Sequence, residues 1–375
     1  MATDIVPIAL PESLLIFRSD TMLLVLANYP GESTRHEGMS QRVIAMDQLC
    51  ASRRRSYLTV SHRLYWHAEV EWFAEDGVQY RYNIFRHFLP IIKLLRQADT
   101  LYFHSVINIL PLLPFLGFIR RQSCVVLDAH GVVPEEIQYQ GAVRKSRLYE
   151  LAEQRIFRRA DNVVTVSDAM TAHFRHKYPT WKKRAIRYPI LPAHVGSQAP
   201  IIDGERADDD RVHVIYSGNL QSWQNIDLMV SLIRRNLSDR IRYTLLTGQA
   251  AELEKRLLDS GVQFGNNIRV LTVSPDELQA YYQSAHYGFI MRDDMLINRV
   301  ACPTKLVEYL FYGIIPIVKS SHMGDFEYVG YEYLRYQDFS ANLPVRKSKK
   351  NRELMMRYAG DLRMVDFEQL IARER

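Results

Sequence analysis

The chain reads as an α/β protein of two doubly wound, Rossmann-like domains, and three features of the sequence predict it. At 375 residues it is too long for one ordinary core. Short apolar runs alternate with helical stretches on both sides of residues 188–211, a Pro- and Asp-bearing region with no hydrophobic period. Finally, Arg292 to Val318 (RDDMLINRVACPTKLVEYLFYGIIPIV) holds a polar loop, a proline helix start, a short helix and a β-branched strand.

The first half supplies strands at Met22–Ala27, Tyr57–Val60, Thr100–Phe103, Cys124–Leu127 and Val163–Val166, with helices at Gln41–Cys50 and Arg144–Arg159 between them. Leu101 to Ile119 approaches membrane-spanning length, but His104, Ser105, Asn108, Pro111 and Pro114 interrupt it. It is read as a strand end followed by a buried, Pro-broken helix. The pattern restarts with a strand at Val212–Tyr216, a turn at Gly218 and a helix over Ile226–Asn236. Strands follow at Ile241–Thr247, Ile268–Leu271, Tyr287–Met291 and Ile314–Val318. The expected organisation is an N-terminal domain over 1–190, a linker over 191–211 and a second domain over 212–346. A helical segment, 347–375, is expected to cross back onto the N-terminal domain. Ligands bind beyond the carboxyl ends of such sheets, which predicts a central cleft.

Composition narrows the class. A hydrophobic share of 47% with 24% charged residues is ordinary for a globular chain. Cys50, Cys124 and Cys302 are scattered and odd in number, which suits a reducing compartment rather than a disulfide framework. The N-terminal MATDIVPIALPESLLIF lacks a basic leader and a cleavage site, so the expected location is cytoplasmic. Residues 1–195 hold 25 Lys and Arg against 18 Asp and Glu, whereas the remainder holds 23 against 24. The excess is clustered, as in Arg53-Arg54-Arg55 and Lys182-Lys183-Arg184. A basic first half suits an anionic membrane surface or a pyrophosphate-bearing acceptor. No nucleic-acid-binding motif accompanies the charge, so nucleic acid is not an expected partner.

Chemistry concentrates in Arg292 to Val318. A helix start at Pro303, with Thr304 and Lys305 beside it, suits a phosphate. Glu308, one turn further in, can accept hydrogen bonds from a sugar's hydroxyls. Phosphate and ribose in one place imply a nucleotide. Gly313 ends the helix. Asp293-Asp294 reads as a solvated loop rather than a metal pair, and no metal or cofactor is expected. Ser167 reads as a helix N-cap, Glu135 and Glu136 as first-turn carboxylates, and the Tyr328–Tyr336 segment as packing.

Four segments together resemble the retaining glycosyltransferases of the GT-B fold, family 4. They are YSGNLQSWQNID (216–227), VVTVSDAMTAHF (163–174), VLDAHGVVPEE (126–136) and the stretch from Arg292 to Val318. The resemblance implies transfer of a sugar from a nucleotide diphosphate sugar to a saccharide or a polyprenyl-pyrophosphate-linked acceptor, in cell-surface polysaccharide assembly on the inner face of the membrane. It implies Glu308 on the donor ribose, Pro303 to Lys305 as the phosphate-binding helix start, and His130 beside the transferred sugar. Gly218 and Asn219 then form the donor-domain turn. Gly31 to Gly38 (GESTRHEG) would line the acceptor and diphosphate side.

The chain departs from the family pattern at three positions. Val300 stands where the family places the first of two glutamates, and Asn219 and Gln224 replace an Arg and a Lys. A desolvated diphosphate without cationic partners is strongly unfavourable. Arg292, Arg299 and Lys305 are the expected substitutes, and Arg292, Lys305 and His130 the expected catalytic set. Two other readings share the fold: a non-catalytic nucleotide-sugar-binding protein and a sugar-nucleotide epimerase.

Overall fold

The computed structural model describes residues 21–31, 34, 38–51, 53–74, 77–189, 191–192, 195, 210–265, 267–274, 277–363 and 371. The first half opens with β1 (Leu23–Leu26), α1 (Gly38–Leu49) and β2 (Arg55–Ser61), then a hairpin of β3 (Glu69–Ala74) and β4 (Gly77–Asn83). Next come α2 (Phe88–Gln97), β5 (Thr100–His104), two 3-10 segments (Val106–Asn108, Leu110–Phe118) and β6 (Cys124–Ala129). α3 (Val133–Tyr139), α4 (Val143–Arg159), β7 (Asn162–Thr165), α5 (Asp168–Lys177) and β8 (Arg184–Arg187) complete it.

The first sheet has the strand order β3-β4-β2-β1-β5-β6-β7-β8. β1 pairs in parallel with β2 and β5, β2 with β4 and β5 with β6, whereas β3 is antiparallel to β4. Apart from β4, these parallel strands are the apolar runs that the sequence marks. The β3–β4 hairpin and β8 are additions to that reading. Both end strands mix polar and apolar residues (EVEWFA, RAIR), as strands at a sheet edge do. Leu101–Ile119 forms β5 and the 3-10 segments around Pro111 and Pro114. Among the described residues no helix is long and apolar enough to cross a membrane.

The second half contains β9 (Val212–Ser217), α6 (Ile226–Arg235), β10 (Ile241–Leu246), α7 (Ala250–Asp259), β11 (Ile268–Leu271) and α8 (Leu278–Ser284). β12 (Tyr287–Ile290), α9 (Leu296–Arg299), α10 (Thr304–Phe311), β13 (Ile315–Val318), β14 (Leu334–Arg335) and α11 (Lys349–Arg363) follow. Its sheet is parallel, in the order β11-β10-β9-β12-β13-β14. Side chains alternate between its faces. Val212, Val214 and Tyr216 of β9 enter one core with α6 and α7, while Ile215 enters the other with α8, α10 and α11. Both faces are covered, which is why these strands read as continuous apolar runs.

The chain forms two compact units: Met1–Asp128 with Leu151–Asn162 and Phe367–Arg375, and Ala129–Glu150 with Val163–Asp366. The expected C-terminal segment is divided. Leu354, Met355, Tyr358 and Ala359 of α11 pack into the second unit's core, and Thr100 Oγ1 in the first unit donates to the carbonyl of Ile371 at 3.3 Å. Most of the 191–211 linker lies outside the described residues.

Within the second unit, His213 on β9 places Nε2 2.8 Å from Thr244 Oγ1 and Nδ1 3.1 Å from the Ser284 carbonyl, and its N–H donates to His286 Nδ1. Burial lowers both imidazoles, from 6.5 to about 4. The unfolded chain therefore takes up their protons first as pH falls below 6.5, so the stability contributed by the neutral forms is lost between pH 6.5 and 4. The urea midpoint should drop across that window, and His213→Gln should shallow the drop.

Candidate functional site

The position of α10 is set by two close approaches. Gly288 on β12 leaves room for the Tyr309 ring, because a Cβ there would sit 2.3 Å from Tyr309 Cε2. The Tyr309 hydroxyl accepts from the N–H of Ser217 at the end of β9, at 3.2 Å. At the far end, Gly313 (φ 66) closes the helix. Its N–H donates to the Leu310 carbonyl and that of Ile314 to Tyr309, a paired C-cap that turns the chain directly into β13. Leu306, Val307 and Leu310 face the core, and so Lys305 and Glu308 rise together on the remaining face.

At its start, Pro303 is the N-cap, in extended backbone (φ −68, ψ 121), and Thr304 is the first helical residue. The helix thus begins directly after the proline. Helices leave their first N–H groups without intrahelical partners, so this end offers donors beside Lys305.

Lys305 Nζ lies 4.0 Å from the centre of the Tyr216 ring and 3.4 Å from Gln224 Oε1, to which it donates. It also fills the space over Gly218 (φ 146), where a Cβ would approach to 2.8 Å. The turn therefore needs glycine for its backbone and for the lysine alike. Burial, then the positive charge of Arg292, hold the Lys305 ammonium well below its ordinary range, with Glu308 opposing. Burial also lowers Arg292, against the pull of Tyr216. Two half-buried, mutually repelling cations thus stand together at a helix start, an arrangement that can accept an anion.

Glu308 Oε2 accepts from the Tyr282 hydroxyl at 3.1 Å, and Tyr282 is 2.8 Å from Ser217 Oγ. Burial pushes the carboxyl up to about 7, against the Tyr282 hydrogen bond and Lys305. The loop before α10 is held by Asn298, whose Nδ2 donates to the Asp293 carbonyl and whose Oδ1 accepts from Arg292 Nη1 at 3.4 Å. Asn225, in left-handed backbone (φ 48), donates to the Met291 carbonyl at 2.7 Å and to Asp293 Oδ2 at 2.9 Å. Lys319 pairs with Asp293.

The structure thus brings Arg292, Lys305, Glu308, Gly218 and Thr304 to one end of α10. Arg299 stands apart: its exposed guanidinium forks onto Asp294 at 2.6 and 3.0 Å. Val300 is buried, and its carbonyl accepts from Ser167 Oγ at 2.6 Å. Asn219 offers its carbonyl to the Tyr216 hydroxyl at 2.5 Å. His130 is half-buried in the loop after β6; nearby, burial raises the Glu136 carboxyl against the hydrogen bond it accepts from the Val132 N–H. Gly38 opens α1, Gly31 precedes it, and much of the intervening loop lies outside the described residues. Ser167 caps α5 through the Met170 N–H, as its sequence context predicts. Sequence reasoning missed Tyr216, Tyr282, Asn225 and Asn298. A tyrosine or asparagine beside a strand end carries no signal of its own; only packing tells which ones face the site.

No family model matches the chain, and no curated protein matches it in sequence. Solved structures do. A sucrose-phosphate synthase from Thermosynechococcus elongatus aligns with a TM-score of 0.62 at 14% identity, over 94% of this chain and 100% of that one. An alpha,alpha-trehalose-phosphate synthase (UDP-forming) from Burkholderia vietnamiensis aligns at 0.54 and 13%, over 92% and 100%. Anabaena HepE in complex with UDP-glucose aligns at 0.55 and 12%, over 94% and 91%. These likenesses show the fold, the GT-B arrangement of two parallel α/β sheets that the sequence motifs imply.

Proposed function

We propose that this protein is a glycosyltransferase that moves a sugar from a nucleotide diphosphate sugar to a saccharide or lipid-linked saccharide acceptor. The observation that carries the reading is the end of α10, where Lys305 and Arg292 lie half-buried beside a helix start and Glu308 stands one turn further in. In the proposed reaction the bond between the sugar's anomeric carbon and the diphosphate oxygen breaks, and its electron pair leaves with the nucleotide diphosphate. An acceptor hydroxyl oxygen bonds to that carbon and loses its proton. The main need is stabilisation of charge on the leaving group, supplied by Lys305, Arg292 and the helix N–H groups. Glu308 accepts from the ribose hydroxyls, and His130 lies beside the transferred sugar. The names of the structural neighbours support a UDP-hexose as the donor to try first.

The acceptor and setting belong to the same proposal: a pyrophosphate-linked saccharide of cell-surface polysaccharide assembly, met at the anionic inner face of the membrane. The basic first half supports it. A thermal-shift screen over nucleotide diphosphate sugars tests the donor, since a ligand that binds the native state raises its melting temperature. No stabilisation by any donor would sink the reading. Binding without transfer would favour a non-catalytic role, and an epimerised nucleotide sugar formed without acceptor would favour an epimerase.

The raised Glu308 carboxyl gives the donor site a pH dependence. Below about 7 the group is protonated and loses acceptor capacity for the ribose hydroxyls. Donor Kd should therefore rise as pH falls from 8 to 6, and Glu308→Gln should flatten the profile. An unchanged profile in that variant would remove Glu308 from the ribose.

A further inference from the structure

We propose that the loops gathered around Asn83 form a docking surface for an anionic lipid bilayer. Four large apolar side chains there are more than half exposed: Leu64 (60%), Trp66 (55%), Phe85 (71%) and Leu89 (74%). Exposed apolar residues are ordinary singly, but a contiguous group of this kind marks an interaction surface.

These residues belong to one built structure. Asn83, fully buried at the end of β4, donates from Nδ2 to the Leu64 carbonyl at 3.0 Å. Its Oδ1 accepts from the N–H groups of Phe85 and Arg86. Arg86 then reaches back, donating to the Trp66 carbonyl at 3.3 Å with its guanidinium 6.0 Å from the Trp66 ring centre. Between Leu64 and Trp66, Tyr65 is held in left-handed backbone (φ 61), a conformation a bulky residue adopts only when its surroundings impose it. Phe88, at the start of α2, lies 5.1 Å from the Phe115 ring and 6.1 Å from Phe118, which extends the apolar ground onto the 3-10 segment.

Charge identifies the occupant. Residues 61–68, 84–98 and 105–123 contain no Asp or Glu, yet they supply Arg63, Arg86, Lys93 and Arg96, all exposed. The neighbouring carboxylates of Glu69 and Glu71 on β3 are drawn to Arg81. Apolar and aromatic tips set among cations, with a Trp at the boundary, match the interface of a bilayer bearing anionic headgroups. A second copy of the chain would present the same cations and repel.

This deepens the membrane setting proposed above and rests on it only for the sign of the partner's charge; it does not depend on sugar transfer. The test is co-sedimentation of the full chain with vesicles of phosphatidylglycerol and phosphatidylcholine, at low and high salt. The wild type should bind anionic vesicles, and binding should weaken with salt. The triple variant Trp66→Ser, Phe85→Ser, Leu89→Ser should lose at least tenfold in affinity at an unchanged melting temperature, because these side chains are already exposed. Arg63→Gln with Arg86→Gln should lose a smaller, salt-sensitive share. A triple variant that binds like the wild type overturns the assignment of this surface and leaves the membrane setting standing. A wild type that ignores anionic vesicles overturns both. Equal binding to purely zwitterionic vesicles overturns the role of the cations, and a dimer abolished by the triple variant would make a second copy the occupant instead.

Discussion

Lys305→Ala is expected to lower donor-dependent turnover about a hundred- to a thousandfold while the protein stays folded, the scale seen when one preorganised charge-stabilising donor is removed. The lysine's ammonium rests on the face of the Tyr216 ring. Its hydrogen bond to Gln224 is long, and its ammonium is destabilised by burial and by Arg292. Alanine relieves that strain, so the melting temperature should hold or rise. Arg299→Ala is the contrast: its guanidinium is committed to Asp294 on the surface, and exposed ion pairs contribute little, so donor KM should move less than about threefold. Initial rates at saturating acceptor, with thermal melts of all three proteins, decide it. If the Lys305 variant keeps activity within a few-fold, the diphosphate lies elsewhere.

The largest effect on stability should come from Asp128→Ala, about 3–5 kcal/mol. Arg42 of α1 is fully buried, and its Nε and Nη2 fork onto the Asp128 carboxylate at 2.7 and 2.5 Å. Tyr102 donates to the same carboxylate at 2.8 Å. Removing the carboxylate takes from a buried guanidinium the charge it forks onto, which costs far more than the ion pair itself contributes. The double variant Arg42→Met, Asp128→Leu, which removes both charges, should recover most of the loss. Urea unfolding of the single and double variants measures it. A double variant no better than the single one would mean that packing, not charge, holds the site.

Much of the fold was legible because most strands pair in parallel and the second sheet is covered on both faces. Its strands therefore appear as uninterrupted runs such as VHVIY and IIPIV, separated by helices of recognisable period. The β3–β4 hairpin was not legible. Its alternation of Glu69, Val70, Glu71 and Trp72 is short, and its apolar members face outward, so burial gave the pattern no direction. The boundaries of α9, a single helical turn inside a polar loop, were set by local hydrogen bonds that composition does not encode.

The candidate site divides along the same line. The sequence by itself determined which residues share α10 and its ends, since the Pro303, Lys305, Glu308 and Gly313 spacing needs only helical geometry to be placed. It also identified the turn at Gly218, where a flexible residue must stand. Only the tertiary structure decided which charges are short of a partner. Arg292, Arg299 and Lys305 look equivalent along the chain, yet folding pairs Arg299 with Asp294 in solvent and buries Lys305 beside Arg292 over Tyr216. Residue type and spacing fix which groups can bind an anion. Desolvation and the choice of partner, which are properties of packing, decide which of them still need one.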